Sequence, residues 1–402
     1  MQGELPLIFI LNCGSSSLKF SLIDENDKVN SSGQVENIGT GQATLKITID
    51  EQSENHNVSA INHEQAFDVV SDMLDRKGKN TDLIEAVGHR VVHGGELFKN
   101  PTKINKDVIT GIRSCIPLAP LHNPASLSGI YAAQNLFQSI PHVAVFDTAF
   151  YSTMPPKAYL YAIPKELYNE KGIRRFGFHG SSHEYVAQRC ADLLMVDFAR
   201  FSCITCHLGN GVSLSAIENG QCIDTTMGFT PLEGLAMGTR SGDIDPGLIF
   251  HLVRDGMSIK EIENMLQKHS GLLGLSGTSF DVRTLERAAF DGDDDAQTAL
   301  DVFAYRIRKA LGGFYAALRH VDAIIFTGGI GQNSTFLRHH VVDGLENMGL
   351  FLDSVRNRTH NDQESEISHV DGQVKIWIIP TNEELMIAKK TRVLLNQDND
   401  QT

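Results

Sequence analysis

The chain has 402 residues, enough at roughly 100–200 residues per domain for two or more domains with ample core. Hydrophobic residues make up 41% and charged residues 21%, a globular balance that excludes disorder. The 35 Lys and Arg stand against 49 Asp and Glu, a formal net charge of −14 that repels phosphate backbones and anionic lipid. No nucleic acid and no membrane is expected as partner, and an anionic ligand needs a locally basic pocket.

In chain order, the amino-terminal stretch has no basic leader, and its apolar run is strand-length, so a cytoplasmic location is expected. A strand, Leu5 to Leu11, breaks at Asn12-Cys13-Gly14-Ser15-Ser16-Ser17 and resumes as Leu18 to Ile23 with period two, a β-hairpin with a small-residue turn. It is not a P-loop, because Leu18 stands where glycine should precede the lysine and a strand follows. Its backbone N–H groups and small hydroxyls (Ser15, Ser17) can still face phosphate, with Lys19 as a point charge; one such loop alone favours an ordinary turn, and a matching loop in the second half shifts the reading toward a phosphate clamp. Gly88 to Gly95 places Arg90 and His93 at a strand end, and Pro120 to Pro124 fixes His122 between prolines. The buried-type strand His142 to Phe146 leads into Asp147, and Met154 to Pro164 forms a crossover.

The second half repeats the pattern. Phe176 to His183 sets His179 and His183 among small residues, and Phe201 to Leu208, the turn Gly209-Asn210-Gly211 and Val212 to Ile217 form a second hairpin. Cys203 and Cys206 lie within this strand and read as buried thiols of a reducing compartment, not as a redox or zinc pair. Gly238 to Asp243 presents Arg240 in a glycine-bounded loop. The acidic run Asp291 to Asp295 reads as a solvated turn. A helical face from Val302 to Leu318 precedes a strand, Ala323 to Phe326, that ends in a small turn, Thr327 to Gly331. Thr381 with Glu384 matches a capping box, a position that also offers Glu383 to a hard cation. Matching hairpins half a chain apart, each followed by an α/β unit, indicate two similar α/β domains. Arginines and histidines in four small-residue loops of an acidic protein suit a phosphoryl group, since a guanidinium is always charged and forks onto oxyanions.

Nine segments in order, NCGSSSLKF, GHRVVHGG, PLAPLHNP, VFDTAF, RRFGFHGSSH, HLGNG, MGFTPLEGLAMGTRSGDIDP, FTGGIG and PTNEE, resemble the acetate/propionate kinase family. That family belongs to the superfamily of sugar kinases, actin and the heat-shock chaperone ATPases. The resemblance implies an α/β fold of two duplicated domains of the actin-like ATPase (ribonuclease H-like) type, with the active site in the interdomain cleft. The implied domains are 1–150 with 386–402, and 151–385, the latter nucleotide-binding and dimer-forming. It implies Mg²⁺, with Mn²⁺ as a substitute, at Asn12 and Glu383, and ATP or ADP at Lys19, Ser15 and Ser17, at His207, Leu208, Gly209, Asn210 and Gly211, at Asp281, Val282 and Arg283, and at Gly329, Ile330, Gly331, Gln332 and Asn333. Arg90 would bind the substrate carboxylate or acyl phosphate, His179 and Arg240 would stabilise the transition state, His122 would lie nearby, and Asp147 would have an acid/base or metal-orienting role, the latter favoured because the acid is already ionised at neutral pH. Val92, Leu121, Phe178 and Pro231 would enclose the substrate methyl. Three residues depart from the family pattern: Gln332 in place of Glu, Tyr151 in place of His, and Phe280 in place of a small polar residue.

The implied reaction is reversible, direct in-line transfer of the ATP γ-phosphoryl group to acetate, giving acetyl phosphate and ADP, by a homodimer. The alternatives are a propionate kinase of the same family or, from another class, a nucleotide-dependent conformational switch. A switch has no use for paired Arg and His around a small apolar pocket.

Overall fold

The computed structural model describes residues 5–79, 81–120, 122–359 and 363–399. They divide into two compact units, residues 1–150 with 382–402, and 151–381. The second segment of the first unit begins at Asn382, four residues before the expected 386. The reason is local: the helix Glu383–Asn399 starts there, and it packs along its length on the first unit's sheet.

In the first unit, β1 (Leu7–Cys13) is apolar and buried almost throughout, as a strand covered on both faces must be. β2 (Leu18–Asp24) returns antiparallel, with Cys13 opposite Leu18, and β3 (Val29–Glu36), β4 (Thr44–Ile49) and β5 (Gln52–Asn57) continue a meander that the sequence reading did not resolve. On the other side of β1 lie β6 (Ile84–Val91) and β8 (His142–Phe146), both parallel to it, with the short β7 (Thr102–Lys103) at the edge. The sheet order is β5-β4-β3-β2-β1-β6-β8-β7. One face is packed by Phe9, Phe20 and Phe67, where the Phe9 and Phe67 rings meet edge to face at 5.5 Å.

The second unit has β9 (Cys203–Leu208), β10 (Val212–Glu218), β11 (Gln221–Thr225), β12 (Ala323–Thr327), β13 (Ser365–Glu366) and β14 (Lys375–Ile378) in the order β11-β10-β9-β12-β14-β13. Here β10 and β11 are antiparallel neighbours, while β12 and β14 run parallel to β9. The core β3-β2-β1-β6-β8 of the first unit and β11-β10-β9-β12-β14 of the second are therefore one topology used twice. It is the ribonuclease H-like pattern, a central strand with an antiparallel meander on one side and two parallel strands on the other.

Three local readings are corrected. Thr327 to Gly331 is not only a turn, because Gly328–Asn333 forms a short helix after β12. Asp291 to Asp295 is more than a solvated turn: Asp293 caps the helix Asp294–Ala317 by accepting from Ala296 N at 3.0 Å. The cap of the last helix is Asn382, which accepts from Leu385 N at 2.9 Å, whereas Thr381 Oγ1 is buried with no hydrogen-bond partner. All six cysteines are free and buried, and burial pushes the Cys13 thiol up to about 12. Among the described residues no helix is long and apolar enough to cross a membrane.

Strands β6 and β8 also carry a buried imidazole pair. His142 Nε2 donates to the Phe137 carbonyl at 3.0 Å, which leaves its Nδ1 to accept from His89 Nε2 at 2.9 Å. Burial lowers both pKa values from the ordinary 6.5, that of His89 further because His142 is its neighbour. The folded chain takes up protons on this pair less readily than the unfolded chain, His89 least of all, so stability falls as pH drops through about 6.5. One pH unit lower, each ring that stays neutral costs about 1.4 kcal/mol. The melting midpoint is expected to be lower at pH 5.5 than at pH 7.5, with a smaller drop in His89→Asn; equal midpoints at the two pH values would refute the assignment.

Candidate active site

Parallel strands in register end at the same edge of a sheet, and ligands of α/β proteins gather at those carboxyl ends. In the first unit β1, β6 and β8 deliver Asn12, Arg90 and Asp147 to one edge. Arg90 Nε donates to Asp147 Oδ2 at 3.0 Å and NH2 to the same oxygen at 2.5 Å. NH1 reaches Asn12 Oδ1 at 3.3 Å, and Glu383 Oε2 lies 3.4 Å from Nε. Burial alone would lower the Arg90 pKa, but the charges of Asp147 and Glu383 outweigh it and the pKa rises, so the guanidinium stays charged. The Asp147 side chain is 1% exposed, so it holds a fork geometry rather than facing solvent.

The turn after Arg90 is tied down from two sides. Gly94 N donates to Thr148 Oγ1 at 3.0 Å. Asn123, fully buried at the start of the helix Asn123–Leu136, accepts from His93 N at 3.2 Å and donates to His93 O at 2.9 Å. Val92, half-buried, directly precedes these ties, while His122 lies at the helix start and Leu121 lies outside the described residues. Asn123 was invisible to motif reasoning, because an asparagine at a helix start reads as a cap. The hairpin turn is likewise fixed by a residue not singled out, His63, whose Nε2 lies 2.7 Å from Gly14 O. Ser15 is exposed and Ser17 half-buried. Lys19 pairs with Asn12 across the hairpin and lines a shallow cavity of about 350 Å³ with Lys46, Asn382 and Glu384.

In the second unit the same strand edge carries His207 and Thr327, which are register partners. His179 sits just before the helix Gly180–Leu193, in a left-handed backbone with φ 59°. Its Nδ1 is 2.8 Å from Ser213 Oγ, and Ser213 Oγ is in turn 2.7 Å from His183 Nε2. Burial drives the His183 pKa well below its ordinary value, so this supporting ring is neutral. His179 stacks on His207 with centroids 4.3 Å apart, and His207 Nδ1 is 2.8 Å from Ser182 Oγ. Arg240 NH1 donates to the Pro231 carbonyl at 3.2 Å, and burial lowers the pKa of this guanidinium. A Cβ built on Gly211 would lie 3.3 Å from His179 Nε2 and 3.8 Å from Arg240 NH1, so imidazole and guanidinium converge on the Gly209-Asn210-Gly211 turn. Phe178 is buried at 4% exposure.

The GGIGQN segment adjoins that turn. Gly328 has φ +77°, and a Cβ there would lie 2.6 Å from Leu208 O, so only glycine permits the approach. Arg338, fully buried, donates to the Gly331 and Gln332 carbonyls at 2.8 and 2.7 Å; burial lowers its pKa to about 10, which leaves it charged at neutral pH. Asn333 Nδ2 donates to Gly329 O at 2.8 Å, Ile330 is half-buried, and Leu208 is buried beneath the turn. Asp281 caps the helix Val282–Phe290 and pairs with Arg283 at 2.7 Å. Val282 points its side chain into the core at 4% exposure, so only its backbone can face a ligand.

Asn12 and Glu383 flank Arg90 with hard oxygen donors, the ligand type a hard divalent cation takes. Among the described residues no cluster of three or more His, Cys, Asp or Glu is arranged as a metal site. An incomplete protein shell of this kind fits a cation that brings phosphate oxygens and waters with it.

The architecture is that of an actin-type ATPase with phosphate-compatible loops in both units. Residues 7–389 match the model of the acetokinase family, and the chain belongs to that family. It is 48% identical over 395 residues to the acetate kinase of Thermoanaerobacterium thermosaccharolyticum, covering 96% of this chain and 98% of that one. With the acetate kinase of Geobacillus kaustophilus it shares 48% over 393 residues, covering 97% and 99%. Crystal structures of Porphyromonas gingivalis acetate kinase and a Francisella tularensis propionate kinase both share 41% identity, with TM-scores of 0.93 and 0.90. The first match covers 97% of this chain and 100% of that one, the second 96% and 99%.

Gly211→Ala is expected to lower kcat about tenfold or more by displacing the His179 ring, with the melting midpoint within about 2 °C of wild type. Turnover at the wild-type rate would show that this approach does not matter to the chemistry.

Proposed function

We infer that this enzyme is an acetate kinase, a phosphotransferase that moves the γ-phosphoryl group of ATP reversibly onto acetate to give acetyl phosphate and ADP. The observation that carries this reading is the convergence of His179 and Arg240 on the Gly211 turn, matched in the first unit by a permanently charged Arg90 among oxygen donors. Phosphoryl transfer asks for positioning and charge neutralisation more than covalent chemistry.

In this reading Arg90 holds the acceptor carboxylate, and His179 with Arg240 hold the equatorial oxygens of the transferring group. No general base is needed, since a small carboxylic acid with a pKa near 4.3 is already ionised at neutral pH. Asp147 therefore aims and stabilises Arg90 rather than removing a proton, which accords with its fork-like contact. The backbone of the Gly209-Asn210-Gly211 turn and of residues 281–283 and 329–333 receives the nucleotide, with Lys19 and the Ser15 and Ser17 hydroxyls beside its phosphates. Asn12 and Glu383 would hold Mg²⁺, or Mn²⁺ in its place, and the bound ion would neutralise phosphate charge.

Val92 narrows the acyl pocket, so acetate is preferred over propionate by the value of one methylene, about 1–3 kcal/mol. Free buried thiols favour a reducing cytoplasm. The exposed Phe250 and Val253, three residues apart on one face of the helix Pro246–Arg254, give a homodimer apolar side chains to cover.

A coupled assay with ATP and each acid should form acyl phosphate in step with ADP, with higher kcat/KM for acetate. A preference for propionate would refute the Val92 argument, and ADP release independent of any acid would refute the kinase. Arg90→Ala and Arg240→Ala are each expected to lower kcat by at least about 100-fold with the circular dichroism spectrum retained; near-normal turnover in either removes that arginine from the mechanism.

A further inference from the structure

Tyr151 stands at a position where the family pattern has histidine, and it is the first residue of the second unit. It is 1% exposed, so its hydroxyl is a buried polar group that must be hydrogen-bonded. The hydroxyl donates to the carbonyl of Phe178 and lies 3.4 Å from Ser215 Oγ. Phe178 directly precedes His179.

The segment it grips is held in an uncommon conformation. Gly177 has φ +80° and His179 φ +59°, so Phe178 is flanked by two left-handed residues, one of them not glycine. A non-glycine residue stays in that region only when its surroundings over-determine it. The following helix does not do so alone, because its first bond, His183 N to His179 O at 3.0 Å, begins one residue beyond Phe178. Tyr151 supplies two restraints. Its ring packs so closely on Gly177 that an added Cβ would lie 2.7 Å from Cδ2, and its hydroxyl holds the carbonyl of the next residue. The same face of β10 then completes the arrangement, with Ser215 beside the Tyr151 hydroxyl and Ser213 beside His179 Nδ1.

We propose that Tyr151 is a positioning residue for phosphoryl transfer: its hydroxyl, through the Phe178 carbonyl, fixes the left-handed backbone that aims the His179 imidazole. The proposal rests on the role given to His179 under the proposed function. Tyr151 touches neither phosphate nor acetate in this account and acts only through its neighbour.

The test is a double-mutant cycle of Tyr151→Phe and His179→Asn, read as kcat and KM in the coupled assay with acetate. Tyr151→Phe removes one oxygen and keeps the ring. It is expected to lower kcat about tenfold or more, with KM for acetate and ATP within about twofold of wild type. In the His179→Asn background the same change is expected to lower kcat no further. Wild-type kcat in Tyr151→Phe, or an equal loss in both backgrounds, would overturn the proposal, the second outcome marking a general structural effect. Unimpaired turnover by His179→Asn would overturn the reading of His179 and the proposal together. If Tyr151→Phe does not fold, Ser215→Ala removes the hydroxyl's other contact, and the same cycle decides: a smaller loss of kcat, absent in the His179→Asn background, is the supporting result.

Discussion

Parallel strands that share a register must all stop at one edge, and this constraint governs where chemistry can be placed in the molecule. A central strand has no free backbone to offer a ligand until it runs out of partners. Each unit therefore presents its unpaired backbone, its glycines and its charged side chains at the carboxyl ends of three strands. Arg90 and Asp147 meet because β6 and β8 are neighbours, and Leu208 meets Gly328 because β9 and β12 are. Fold and site are thus not separate accomplishments of the sequence.

The electrostatics follow from that placement. A guanidinium at a crowded strand end would be costly if unpaired, and Asp147 with Glu383 makes the charge stable there. Arg338 is accommodated differently, by donating to backbone carbonyls, and so fixes the short helix before it. The imidazoles divide in the same manner. His183 and His89 are buried and neutral supports, whereas His179 is set on a left-handed turn beside glycine, where a ring can meet a ligand.

Much of this was legible from residue patterns. The two hairpins, the strands ending at Phe146 and Phe326, and the loops around Arg90, His179 and Arg240 could be read because apolar runs interrupted by glycine have one economical conformation. The β3–β5 meander was missed, since its half-exposed strands carry polar side chains such as QSENHN and give weak alternation. Asn123, His63 and Ser213 were missed for a different reason, and Tyr151, though it stood out as a departure, gave no sign of the carbonyl it would hold. Each acts through a contact distant in the chain, and nothing in its immediate neighbours distinguishes a clamp from an ordinary cap, surface ring or strand residue. The misplaced cap at Thr381 shows the limit of spacing rules: Asn382, one residue later, offers the better acceptor, and the helix begins accordingly.

The first unit is sewn from two stretches that flank the second in the chain, since residues 382–402 belong with 1–150. A ribosome making this chain releases the whole of the second unit before it emits Glu383 and the helix that covers β1 and β6. Until that helix is made the older half carries an uncovered sheet face and an Arg90 lacking one of its acidic neighbours. Completion of that half therefore waits on the making of the other, and a nascent chain cut short before that helix lacks both the cover of β1 and β6 and a carboxylate beside Arg90.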